Sequence, residues 1–192
     1  TELAMSLFGH SYGVNSSGKI FKQGKEITIP TVQSAIDQKI AYVPEDRKTY
    51  GLVLINDIKW NMTLASLGSR FSERSVLKQD DEIRAAEDYR SRINIKTNSI
   101  TQPVESLSGG NQQKVVLAKW MLSDPDVLIL DEPTSAPNEE ESNTLLELML
   151  KLKSKGITCI MISHKLNEVS RVADNITVIR DGKTIETIQR EQ

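Results

Sequence analysis

Val127-Leu128-Ile129-Leu130-Asp131-Glu132-Pro133-Thr134 sets four apolar residues in a row ahead of two carboxylates. A buried strand of a parallel sheet reads this way when it delivers acids to the sheet's C-terminal edge. Ligands of open α/β sheets bind at that edge. In a phosphate site the first acid of such a pair can hold Mg2+, directly or through water, and the second can polarise a water for attack on a phosphoryl group. Asp131 is therefore assigned the metal role and Glu132 the base role. Taken alone the stretch is equally a surface turn after a strand, so its neighbours decide.

Upstream lies Leu107-Ser108-Gly109-Gly110-Asn111-Gln112-Gln113-Lys114. Ser108 is placed to cap a helix whose first turn holds two glycines, which leaves the amides open to an anion. The body from Gln112 to Leu122 repeats at helical spacing, with Val115, Val116, Ala118 and Leu122 as the expected buried stripe. Downstream, Met161-Ile162-Ser163-His164 puts a histidine at the end of another apolar strand.

In this order the three stretches resemble the signature motif, the Walker B motif and the switch histidine of ATP-binding-cassette ATPases. Leu107 to Trp120 and Tyr42-Val43-Pro44-Glu45-Asp46-Arg47-Lys48 resemble the second cassette of the two-cassette subunits that energise bacterial monosaccharide importers of the ribose, xylose and galactose type. From Thr134 to Arg180 the chain is more similar to the first cassette of the same proteins, and so reads as a hybrid or rearranged copy. The resemblance implies a P-loop NTPase-like α/β core, a mostly parallel sheet flanked by helices. Residues 1–192 are expected as one incomplete nucleotide-binding domain, with 50–106 as its small helical subdomain and linker.

The same resemblance implies ATP and Mg2+ as cofactors. Glu132 and His164 fall on catalytic positions, Asp131 and Thr1 on metal positions, and Thr1, Glu45, Ser108, Gly109, Gly110 and Gln112 on nucleotide-binding ones. Thr1 matches the hydroxyl residue that closes the P-loop, which implies an N-terminally truncated cassette without the loop's glycines and lysine, inactive on its own. Most cassettes have a glutamine where Glu45 stands; a carboxylate still meets a cation but donates no amide hydrogen bond. Implied partners are a second cassette, membrane permease subunits and, indirectly, a periplasmic sugar-binding protein, at the cytoplasmic face of the inner membrane. The alternative is a degenerate, non-hydrolysing cassette that serves as a dimerisation or docking module.

Composition fits these expectations. A formal net charge of −2 offers no general attraction for nucleic acid or anionic lipid. No apolar run approaches the roughly 18 to 20 residues of a membrane span, and no signal-peptide pattern opens the chain. The single Cys159 excludes an internal disulfide and reads as a buried strand residue. The sequons at Asn61 and Asn175 carry no chemistry in such a setting.

Around the motifs, residues 19–21 and 26–29 read as a hairpin, and Pro30 opens a short helix. Residues 40–43, 157–162 and 176–179 read as strands of the sheet that holds 127–131. Asp80 to Ile95 reads as a helix with Ile83, Ala86, Tyr89 and Ile93 inward. Leu52-Val53-Leu54-Ile55 is either a docking surface or core. Pro137 falls in the loop that, by resemblance, crosses a dimer interface. Asn138 is expected to cap a helix whose opening Glu139-Glu140-Glu141 suits a helix N-terminus.

Overall fold

The computed structural model describes residues 1–9, 17–134 and 139–189. The readings of Pro137 and Asn138, and most of the turn-rich stretch before Gly18, lie outside the described residues.

The chain opens with α1 (Glu2–Leu7), the hairpin β1 (Ile20–Lys22) and β2 (Lys25–Ile27), α2 (Val32–Asp37) and β3 (Ile40–Val43). A single π turn over Arg47–Gly51 leads to α3 (Ile58–Thr63), α4 (Leu67–Arg70), the small hairpin β4 (Ser72–Glu73) and β5 (Val76–Leu77), and α5 (Gln79–Arg92). Then come α6 (Gly109–Met121), β6 (Val127–Asp131), α7 (Glu139–Ser154), β7 (Thr158–Ile162), α8 (Leu166–Val172), β8 (Asn175–Arg180) and β9 (Lys183–Gln189).

The acid-bearing strand is central. β6 pairs in parallel with β3 on one side and β7 on the other, with Val43 opposite Leu130 and Asp131 opposite Ile162. Leu128, Ile129 and Leu130 are at most 2% exposed. Each contributes about 1.5 to 3 kcal/mol through burial. That is why the sequence there is continuous rather than alternating. β7 is the edge of this sheet, with Ile160 partly exposed, and its Cys159 is half-buried; burial pushes the thiol up to about 11, so it stays an inert apolar group.

α6 lies between β3 and α3, and this sandwiching buries Val115, Val116, Leu117, Ala118 and Trp120 together. The expected stripe is present, but the helix is covered almost all round.

Two expectations are corrected. Residues 176–179 do not join the parallel sheet: β8 pairs antiparallel with β9 as a separate hairpin. Asp181 and Gly182 both take positive φ, 50° and 73°, as a tight two-residue turn requires, and that turn binds β8 to its sequence neighbour. In α5 the inward face carries Glu82 and Ala86, whereas Ile83 is exposed. Glu82 takes the buried place because Thr63 of α3 donates to its Oε1 at 2.7 Å and Lys59 Nζ stands 3.9 Å from Oε2.

The run from Leu52 to Ile55 divides. Leu52 is buried and Leu54 partly so, while Ile55 is 79% exposed. Asn61, only 1% exposed, holds this run in place. Its Oδ1 accepts from Val53 N at 2.8 Å, and its Nδ2 donates to the carbonyls of Val53 and Asp57, both at 3.0 Å. Asn61→Ala strands the Val53 amide, whereas the Val53 carbonyl keeps the Asn56 amide, and is expected to lower the unfolding free energy by about 1 to 3 kcal/mol, the cost of one stranded group. Urea unfolding measures this directly.

Candidate functional site

β6 ends by burying a charge. Asp131 is fully inaccessible, and its Oδ2 accepts a hydrogen bond from Tyr42 Oη, on the neighbouring β3, at 3.0 Å. Its Oδ1 makes no hydrogen bond and faces the Thr1 nitrogen at 3.3 Å. Burial, and next the Asp131 charge, raise the Tyr42 phenol above its ordinary value. Tyr42 is therefore a neutral donor at any physiological pH. Thr1 Oγ1 donates to Glu45 Oε2 at 3.4 Å just past the end of β3, so Thr1, Glu45 and Asp131 meet at one sheet edge.

Glu132 departs from strand geometry. Its φ is +41°, a left-handed conformation that costs a non-glycine residue about 1 to 2 kcal/mol. Its amide donates to the Ile162 carbonyl at 2.9 Å, continuing the β6–β7 ladder by one bond. The carboxylate is thereby turned toward β7's end, where Oε1 stands 2.9 Å from His164 Nδ1. Its Oε2 is buried without a partner. Just beyond, the hydroxyl of buried Thr134 donates to Glu168 and its carbonyl accepts from Lys165 Nζ. The loop after the acids is thus fastened to the start of α8. None of Tyr42, Lys165 and Glu168 was singled out for the site from the sequence. Tyr42 looked like core, and its role needs the β3–β6 pairing; Lys165 and Glu168 are legible only as an i, i+3 pair on a helix.

The start of α6 forms the second half. Ser108 caps it, its hydroxyl accepting from Asn111 N at 3.4 Å and Asn111 Nδ2 at 2.9 Å. Two long side chains lie over the glycines: a Cβ on Gly109 would stand 2.6 Å from Arg47 Nη2, and one on Gly110 2.2 Å from Glu141 Cδ, so a larger residue there would displace their charged ends. A cleft of about 320 Å³ runs from these glycines past Lys114 and Lys151 to Pro133 and Thr134. The structure therefore joins Asp131 with Thr1 and Glu45, and the adjacent Glu132 with His164, while Gly109 and Gly110, next to the Ser108 cap, line the cleft. Gln112 does not join them. It is 4% exposed and turned inward, its Nε2 donating to the Val104 carbonyl at 3.3 Å.

Chemically the site suits a hard cation beside phosphate. Among the described residues no cluster of three His, Cys, Asp or Glu side chains could enclose a metal. Mg2+ needs no such cage, because it takes one or two carboxylates and fills its remaining positions with phosphate oxygens and water. The Oδ1 of Asp131, which makes no hydrogen bond and faces the Thr1 nitrogen, fits that pattern with the Thr1 hydroxyl and Glu45 nearby.

The ABC transporter family model matches residues 1–135. The L-arabinose transport ATP-binding protein AraG of Geobacillus stearothermophilus is 45% identical over 192 residues, 100% of this chain and 37% of its own length. The xylose import ATP-binding protein XylG of Thermoanaerobacter pseudethanolicus is 46% identical over 183 residues, 95% of this chain and 36% of its own. The chain thus spans little more than a third of these relatives. Among solved structures, a nucleotide-free ATP-binding cassette from an ABC transporter superposes with a TM-score of 0.80 at 18% identity, covering 98% of this chain and 75% of that one. At that identity the likeness speaks for the fold.

A buried carboxylate with one donor predicts opposite signs for two conservative changes. Tyr42→Phe removes the donor and is expected to lower stability by about 1.5 to 3 kcal/mol, the worth of a hydrogen bond to a charged group. Asp131→Asn removes the charge at constant shape and is expected to raise the melting temperature. Thermal and urea unfolding of the two variants check the pair.

Proposed function

The chain belongs to the ABC transporter family, and from that premise we propose that it is the ATP-binding and hydrolysing part of a subunit that energises monosaccharide import. The observation that carries the reading is the convergence, at one parallel-sheet edge, of buried Asp131, of Glu132 held 2.9 Å from His164, and of Thr1 and Glu45. Relatives named for L-arabinose, xylose and ribose support the sugar class. Residues 50–106, which hold α3 to α5, are read as the helical subdomain and linker of one nucleotide-binding domain.

Asp131 and the Thr1 hydroxyl would hold Mg2+, and Glu45 would meet it from the end of β3. When bound with ATP, that ion supplies charge neutralisation on the phosphates. Glu132 takes a proton from the attacking water. His164 fixes the orientation of Glu132 through Nδ1 and leaves its exposed ring free to face the terminal phosphate. Ser108 and the amides of Gly109 and Gly110 serve the nucleotide of a second cassette, since the two glycines line an open cleft at the start of α6, where backbone amides suit an anion. No helix among the described residues is long and apolar enough to cross a membrane. Attachment at the cytoplasmic face of an inner membrane is therefore assigned to permease subunits, met by exposed Val53 and Ile55, with a periplasmic sugar-binding protein acting through them.

A second reading, a cassette that docks or dimerises without turnover, is favoured by the Glu141 carboxylate lying against Gly110, where a phosphate would approach. One experiment separates the two. In the full-length subunit with its permease, Glu132→Gln is expected to retain ATP binding and to lose about 10²- to 10⁴-fold in kcat, the usual worth of a general base. Wild-type turnover in that variant sinks the assignment of Glu132, and a wild type that binds ATP without turnover favours the docking module.

A further inference from the structure

Lys119 is the most deeply buried cation of the described residues that serves no part of the site above. It is 7% exposed, in the last turn of α6, and makes no ion pair among the described residues. Its Nζ donates to the Gly51 carbonyl at 2.5 Å and stands 5.1 Å from the centre of the Trp120 ring. The elements packed most closely on α6 are the π turn, β3, α3 and the Leu64–Ser66 turn. Their titratable side chains are Arg47, Lys48, Tyr50, Tyr42 and Lys59, with Asp46 and Asp57 capping the π turn and α3 through backbone amides. An ammonium in such a place gives up several water hydrogen bonds for one carbonyl and one ring face.

The Gly51 end of the π turn is seated by this bond and by packing: a Cβ there would lie 3.1 Å from Val116 Cγ2 and 3.3 Å from Arg47 Cβ. The other end of the turn is Arg47, whose guanidinium lies over Gly109. One five-residue turn therefore spans from Lys119 to the start of α6, and it follows directly on the segment that carries Glu45.

We propose that Lys119 is a positioning residue that makes the seat of the Arg47–Gly51 turn on α6 a releasable clamp, closed with Arg47 over Gly109 and opened by the buried ammonium's demand for water. Seating the turn strips the ammonium of solvent, and lifting it rehydrates the charge. Geometry sets this opposition, and burial accordingly pulls the amine down to about 8 from its ordinary 10.5. The sign follows from linkage. The open turn binds a proton that the closed turn gives up, so closure strengthens as pH rises from about 8 toward 10.5, and the charge favours release below 8. The purpose of the clamp, control of access to the α6 glycines, rests on the cassette reading; the clamp itself does not.

The test uses this chain without nucleotide, so its outcome is independent of whether ATP binds. Trp60→Phe leaves Trp120 as the single indole, 5.1 Å from the titrating amine. Its fluorescence is expected to step with a midpoint near 8. Hydrogen exchange of the Tyr50 amide, which donates to the Asp46 carbonyl, reports closure. Corrected for intrinsic exchange, its protection is expected to rise at least about tenfold between pH 7.5 and 9.5, the response one proton permits over that range. Lys119→Arg, charged throughout, and Lys119→Met, never charged, are both expected to abolish the step and the rise. A flat wild-type profile in both readouts overturns the clamp, as does a rise that persists in Lys119→Met. Should either variant fail to fold, the wild-type titration alone decides.

Discussion

A solvent-inaccessible carboxylate with one hydroxyl donor and the Thr1 nitrogen at 3.3 Å, Asp131, is the constraint around which the structure is arranged. Placing it there requires a strand apolar enough to be buried and a neighbour that supplies a donor at the right register. The parallel pairing of Tyr42 with Ile129 meets the second requirement by setting the phenol within reach of the strand's end. Glu132, one residue on, escapes the strand only by entering left-handed backbone. That conformation is held from both sides, by its amide on the Ile162 carbonyl and by Thr134 between Lys165 and Glu168. Strain of this kind persists where surrounding contacts over-determine it.

The parts legible in the sequence are those where one residue pattern decides one structure. Four apolar residues before two acids identify β6, and the serine before two glycines marks the start of α6. The hairpin near residue 20, the short helix after Pro30 and the stripe of Leu145, Leu148, Met149 and Leu152, of which Leu148 is only partly buried, are read from period and turn residues alone. What was not legible depends on pairings between segments distant in the chain. The apolar period of β8 is the same whether it joins the parallel sheet or folds back on β9, and only the Asp181-Gly182 turn distinguishes them. Glu82 sits inward because Thr63 and Lys59 arrive from another helix. Gln112 stands one turn from the glycines in sequence, yet helical rotation carries its side chain to the interior.

The same distinction separates the two halves of the site. Asp131 stands on the central strand of a packed sheet and Glu132 is tied to it by one ladder bond, so both inherit its rigidity. Ser108, Gly109 and Gly110 stand at the free end of α6, covered by two long side chains, Arg47 and Glu141, rather than by backbone. Long charged side chains have many rotamers and hold a geometry less tightly than a sheet does. The acid-bearing half is therefore fixed by the core, whereas the glycine half is set by side chains that can shift.

α6 joins these halves, and its composition reflects conflicting demands. A helix buried on nearly all sides would ordinarily be apolar throughout. Here it carries Gln112, Gln113 and Lys119 inward, and each needs a partner that the core does not readily supply. Among the described residues Gln112 Oε1 and Trp120 Nε1 are left without one, and Lys119 finds a carbonyl and the Trp120 ring face. Lys119 meets the π turn at Gly51, where Val116 also packs, so there the hold of α6 combines an apolar contact with a costly buried charge.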